Sequence, residues 1–302
     1  MQIQRRAILL SLVPLPASIA EASAAGTVRV AYAGSMGVVM DRALGPKFAA
    51  MNHVTYQGIG QGSYALARLI AGRQLRADVF VAITRGPLAI LKKAHLAGEV
   101  VPIASTAIVI AYSPKSRFSR QFSSGTPWWK VLESPGLRFG RTDPTTDPLG
   151  RNTIFTMLLA ERFYHQPDLA AKILGPIVNP RQIFTETSIL SRLEAGQLDA
   201  TAGYKSAVVS HHLPFVALPD EINLSNPAMD AGWYSRVQFS LPGPNGTKKT
   251  LGIEPLVYYA AALKDAPHPA LAEKFVRFLT SAAGQKILAA DGYGEPKGNP
   301  LW

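Results

Sequence analysis

The chain has no cysteine. That excludes a disulfide, a thiolate metal site, a cysteine nucleophile and a lipid-anchored N-terminal cysteine together. Histidine is scarce, and His211 and His212 are adjacent, so they cannot share a metal as i, i+4 helical neighbours would. No Gly-x-Ser-x-Gly elbow, P-loop or His-Glu-x-x-His motif occurs, and no pair of acidic residues falls in an acid/base spacing. Catalytic residues are therefore assigned to none of the positions. An α/β scaffold alone leaves a hydrolase or transferase as the competing class; turnover of generic esters or phosphoesters would separate the two. Beyond the N-terminus no run approaches the ~18 apolar residues that a bilayer span needs.

What is present begins with an export signal. Arg5 and Arg6 precede the mostly apolar Ala7 to Ala20, and Ala22-Ser23-Ala24 follows as a peptidase site. Residues 1–24 read as a signal peptide cleaved before Ala25. An amphipathic first helix is the competing reading, but Pro14 and Pro16 spoil it. The arginine pair suits the general secretory route and also permits twin-arginine export. Export without a lipid anchor points to the periplasm. The formal charge is +11, and +10 once the two bases and one acid of residues 1–24 are removed. The basic residues are scattered, with Lys92-Lys93 and Lys248-Lys249 the longest pairs outside the signal. This favours diffuse attraction of small anions over nucleic acid.

The remainder alternates strand and helix. Thr27 to Ala33 is a strand, Met36 to Met51 a helix and Val54 to Gln57 a strand. A glycine-rich loop leads into a helix from Tyr64, and Ala77 to Ile83 is a buried-type strand. Ile103 to Tyr112 is one long apolar run. A second unit starts at Leu137 to Gly140, with helices from about Leu149 and Ser188 and a strand at Ala200 to Gly203. Pro242-Gly243-Pro244-Asn245-Gly246 is a hairpin turn, and Gly284 reads as a break between two C-terminal helices. The pattern is α/β, with two lobes, each around a mostly parallel sheet, joined by two crossovers. Lobe one takes 25–112 plus 250–302, and lobe two 113–249.

Several strand ends run into small or hydroxyl residues that open helices: Gly34-Ser35, Gly60-Gln61-Gly62-Ser63, Thr145 to Gly150, and Thr187-Ser188. Each alone is an ordinary N-cap. Together, at the carboxyl ends of strands in both lobes, they could surround a dehydrated anion with unpaired N–H groups. Ser35 and Ser63 are candidate hydroxyl donors, and Tyr204 a phenolic donor from the other lobe. Asp147 is ambiguous: it is a turn residue or, beside an anion, either protonated or a direct ligand of a metal centre.

In this light the second half resembles a known family. Thr142-Asp143-Pro144 through Asp147-Pro148-Leu149-Gly150, Thr185-Glu186-Thr187-Ser188-Ile189-Leu190, Glu194 to Ser206 and Leu218 to Pro227 are similar in order to tungstate/molybdate-binding proteins, the solute-capturing subunits of ABC importers. Ala33-Gly34-Ser35, Gly62-Ser63 and Ala77-Asp78-Val79 match more generically. The resemblance implies a type II periplasmic-binding-protein fold closing on the anion, with ABC permease subunits at the inner membrane as partners. It implies molybdate or tungstate as ligand rather than a cofactor, and the chain is expected to act as a monomer. It implies donation from Ser35, Ser63 and Tyr204, backbone N–H donors near Asp147 and Thr187, and Asp147 as a carboxylate contact to the metal of the oxyanion. The archaeal-type pattern has a second carboxylate immediately before the tyrosine. Here Ala202-Gly203-Tyr204 lacks it. Tetrahedral binding, or another oxyanion such as sulfate or thiosulfate, therefore stands beside six-fold coordination. Asp147 is expected to turn away from the anion or be held by Arg151 or another base.

Overall fold

The computed structural model describes residues 26–242 and 247–302, without the side chains of residues 186 and 187. The expected signal peptide, 1–24, and the expected turn at 243–246 lie outside the described residues. The strands are β1 (Thr27–Ala33), β2 (Thr55–Gln61), β3 (Val79–Ile83), β4 (Val101–Ser105), β5 (Ile108–Tyr112), β6 (Phe139–Gly140), β7 (Ala200–Tyr204), β8 (Phe215–Ala217), β9 (Gln238–Pro242), β10 (Lys248–Gly252) and β11 (Val257–Ala262). They build one sheet in the order β2-β1-β3-β11-β4, a second in the order β6-β7-β5-β8, and the pair β10-β9. β1 is parallel to β2 and β3, and β6 is parallel to β7. The strands that arrive from the other half, β11 and β5, run antiparallel to their neighbours. Both sheets are therefore mixed.

The apolar run Ile103 to Tyr112 is two strands in two sheets. β4 ends in the first sheet at Ser105, and β5 starts in the second at Ile108. A lobe boundary after Tyr112 thus falls one strand late, and one at 250 falls inside β10. An unbroken apolar run carries no mark of where the chain changes sheets. Thr106-Ala107 forms one crossover and Ile253 to Leu256 the return. They touch: Thr106 N–H donates to Leu256 O at 3.0 Å.

Local chemistry explains two further departures from the sequence pattern. Gly58 to Gln61, expected as loop, continues β2 because the parallel register with β1 runs over seven residues. A Cβ on Gly58 would lie 2.2 Å from Asp41 Oδ1, and one on Gly60 2.6 Å from the Tyr32 ring, so the glycines serve a close approach rather than a turn. Gly284 does not break the last helix. Ala282–Ala290 starts two residues earlier, with Ser281 Oγ accepting from Gly284 N–H at 3.2 Å. Before it, Pro269–Thr280 buries Ala272, Phe275 and Leu279, spaced at one helical face. The Phe275 ring meets Phe48 edge-on at 4.9 Å. Burying that ring contributes about 2 kcal/mol or more and ties the C-terminal helices to the first sheet.

Candidate functional site

A cleft of about 670 Å³ opens between the halves. The first half gives it Gly34, Ser35, Val38, Arg42 and Gly60 to Gly62; the second gives Leu149, Ile189, Gly203, Tyr204 and His211. Three of the four helix openings singled out from the sequence thus send a residue to its wall, and the fourth helix reaches it just past its opening, through Ile189 and Leu190. Helix starts present N–H groups without intrahelical partners and a partial positive charge. The wall is therefore suited to an anion even though it carries few formal charges.

Ser35 lies in the 3-10 turn Gly34–Met36 that follows β1. Its Oγ is 3.0 Å from the Tyr258 phenol, and the Tyr293 phenol donates to its carbonyl at 3.1 Å. Tyr258 and Tyr293 are both buried, their rings 5.4 Å apart. These two tyrosines position the serine, and sequence reading missed both, because they come from the return strand and the C-terminal tail. Tyr204 ends β7. Its phenol accepts from Asn152 Nδ2 at 3.0 Å, a contact supplied by the helix Pro148–Tyr164. Ser35 and Tyr204 therefore face one space from opposite halves.

The other candidates sit differently. Ser63 opens the helix Ser63–Ala71 but is buried, and Ile83 N–H points to its Oγ at 3.4 Å. It is Gly62 beside it that reaches the cleft. Asp147 caps its own helix, with Oδ1 accepting from Leu149 N–H at 2.8 Å. Burial pushes its carboxyl above the usual aspartate range, against the lowering effect of that N–H. Arg151 does not hold Asp147 in an ion pair. Its guanidinium donates to the carbonyls of Pro144 and Thr145 at 2.8 and 3.0 Å, bracing the loop before the helix. Thr187 lies in the helix Glu186–Ala195, and its side chain is outside the described residues. That helix reaches the wall through Ile189 and Leu190. At Gly203 the backbone is not left-handed, and a Cβ would lie 3.0 Å from Val208 Cγ2.

Charge enters at the rim. Asp41 and Arg42 line the first-half side, and His211, with Nδ1 2.7 Å from Glu194 Oε1, lines the second. Arg42 escaped sequence reading, although it stands seven residues after Ser35, two helical turns on. No group of three or more His, Asp or Glu able to hold a metal ion forms among the described residues.

Comparison with known proteins concerns the chain as a whole. The profile of a family described as bacterial extracellular solute-binding proteins matches residues 28–294. The molybdate/tungstate-binding protein WtpA of Pyrococcus abyssi is 30% identical over 254 residues, covering 78% of this chain and 73% of that protein. Among solved structures, the periplasmic molybdate-binding protein of Azotobacter vinelandii superposes with a TM-score of 0.60 at 16% identity, over 89% of this chain and all of the other. The sulfate-binding protein SubI of Mycobacterium tuberculosis gives 0.57 at 12%, over 89% and 86%. At such identities these two likenesses concern the fold alone.

Proposed function

The chain belongs to the bacterial extracellular solute-binding protein family, whose members are carriers that work with ABC transporters rather than enzymes, and from that premise we propose that it captures a tetrahedral oxyanion, molybdate or tungstate, in the cleft. It then hands the anion to permease subunits at the inner membrane. On this reading the protein works in the periplasm as a monomer, with residues 1–24 removed. The observation that carries it is the pairing of Ser35 and Tyr204 across a cleft whose wall includes the helix openings at Gly34-Ser35, Gly60 to Gly62 and Leu149. The likeness to a molybdate/tungstate binder along most of the chain supports the choice of ligand.

Selectivity follows from the donors. A wall of hydroxyl and N–H groups satisfies a fully deprotonated dianion, whereas a protonated oxygen would face donors with no acceptor. Each missing donor leaves an oxygen poorly satisfied, at a cost of about 1–3 kcal/mol. Ser35, Ser63, Tyr204 and the N–H groups near Asp147 and Thr187 form the proposed binding set. Ser63 reaches it only if its hydroxyl turns from Ile83 on closure. With Gly203 carrying no carboxylate and Asp147 engaged by Leu149, the anion is held as an intact tetrahedron.

Calorimetric titration of the purified protein against molybdate, tungstate, sulfate and phosphate tests this. One-to-one binding is expected, tightest for molybdate or tungstate. Preference for sulfate would reassign the ligand within the same class. No heat with any of the four would overturn the oxyanion reading.

A further inference from the structure

Two charges of the first half stand side by side on the cleft wall, and only one is tied down. The Asp41 carboxylate accepts from the Tyr32 phenol at 2.5 Å and from the Tyr56 phenol at 3.1 Å. Burial, with Asp41 beside them, pushes both phenols well above their ordinary range, so both stay protonated and donate. Arg42 is exposed and makes no hydrogen bond or ion pair among the described residues. The other basic group on the wall, His211, faces Glu194. Arg42 is thus the one uncompensated cation lining the cleft among the described residues.

Its position is built by the chain. Ser35, Val38 and Arg42 all line the cleft, at spacings of three and four residues, so they form one stripe of a helical run. That run is irregular: a 3-10 turn at Gly34–Met36, then Gly37–Val39, a π turn at Met40–Leu44, and Gly45–Asn52. Arg42 is the middle residue of the π turn, a rare conformation that recurs at functional sites. Seven residues at helical rise set it about 10 Å along the axis from Ser35. A long arginine side chain folded back over the stripe covers most of that span.

The charge of the ligand supplies the need. Hydroxyl and N–H donors satisfy oxygens, but a dianion leaving water still carries two negative charges into a wall of partial dipoles. A guanidinium gives a full charge and two parallel donors matched to the edge of a tetrahedral oxyanion. We propose that Arg42 is a further ligand-binding residue. Its guanidinium folds onto the captured anion and fixes the preference for a dianion. This rests on the oxyanion reading above.

The test compares the full chain with Arg42→Gln and Arg42→Lys, titrating molybdate and sulfate at low and high salt and melting each protein without anion. Arg42→Gln should bind roughly tenfold more weakly or worse, and its affinity should vary less with salt, since an ionic contact is lost. Arg42→Lys should recover the salt dependence but only part of the affinity, because it lacks the planar fork. Melting without anion should be unchanged. Wild-type affinity in Arg42→Gln at both salt levels would overturn this inference and leave the oxyanion reading intact. A lower melting point in Arg42→Gln, or weaker binding with unaltered salt dependence, would mean a structural role and also overturn it. If the wild-type protein binds neither anion, the oxyanion reading fails first and this inference falls with it.

Discussion

At Gly203 a side chain would enter between the strand and Val208, whose Cγ2 would lie 3.0 Å from the new Cβ. The backbone there lies outside the left-handed region, so no strain follows from losing glycine, and the valine methyl needs to give only a few tenths of an ångström. Gly203→Ala is expected to change stability by no more than about 1 kcal/mol in urea unfolding. Gly203→Glu restores a carboxylate to the cleft wall. It should weaken sulfate binding more than molybdate or tungstate binding, because only the larger metal centres accept further oxygen ligands. Equal losses in competition titrations would show that the carboxylate acts by repulsion alone.

β6 is only two residues long, yet the residue after it anchors a whole loop. Arg141 is fully buried. Its Nε donates to Gln182 Oε1 at 3.1 Å and its Nη2 to Pro176 O at 2.9 Å, while the backbone bonds Gln182 and Phe184. No carboxylate forms an ion pair with it among the described residues, and Nη1 has no partner. Burial accordingly draws its pKa below the ordinary arginine value. This staple holds residues 175–183, which lead into the helix that brings Ile189 and Leu190 to the cleft. Arg141→Ala would strand two acceptors and leave a cavity, and is expected to cost about 3 kcal/mol in urea unfolding. Faster amide exchange in residues 175–183 should accompany the loss. Arg141→Met keeps the length and removes the buried charge, so it should lose less. A loss under 1 kcal/mol for the alanine variant would show that the loop is held by other contacts.

At the scale of the whole molecule, the two larger sheets are joined where two crossovers lie side by side. Thr106 bonds Leu256, and Leu256 N–H donates to Leu224 O at 2.8 Å. The tail crosses the same region, Ser105 and Gly294 exchanging backbone bonds at 3.0 and 2.8 Å. A closure of one half onto the other would bend the chain at these crossovers. An anion touching Ser35 and Tyr204 together stabilises whichever arrangement brings them closest. Molybdate at a hundred times its dissociation constant should therefore raise stability by about 2.7 kcal/mol. It should also lower the radius of gyration in small-angle scattering. Stabilisation without compaction would mean that the cleft binds its ligand already closed.

The sequence by itself determined what depends on local pattern, an α/β chain with small or hydroxyl residues opening its helices, while the absent carboxylate at Gly203 came from the family resemblance. Strand alternation and N-terminal small residues are short-range signals, and the openings at Gly34-Ser35, Gly60 to Gly62 and Leu149 line the cleft. Ser35 and Tyr204 were legible because each directly follows or ends a strand. Tertiary structure decided the rest. It split Ile103 to Tyr112 between two sheets, turned Ser63 and Asp147 towards their own neighbours, and brought Tyr258 and Tyr293 beneath Ser35 from more than two hundred residues away. It also left Arg42 unpaired among the described residues by spending Asp41 on two tyrosines. A hydrogen bond between distant segments leaves no period in the sequence, so which hydroxyls and charges remain for a ligand is settled only once every competing partner is in place.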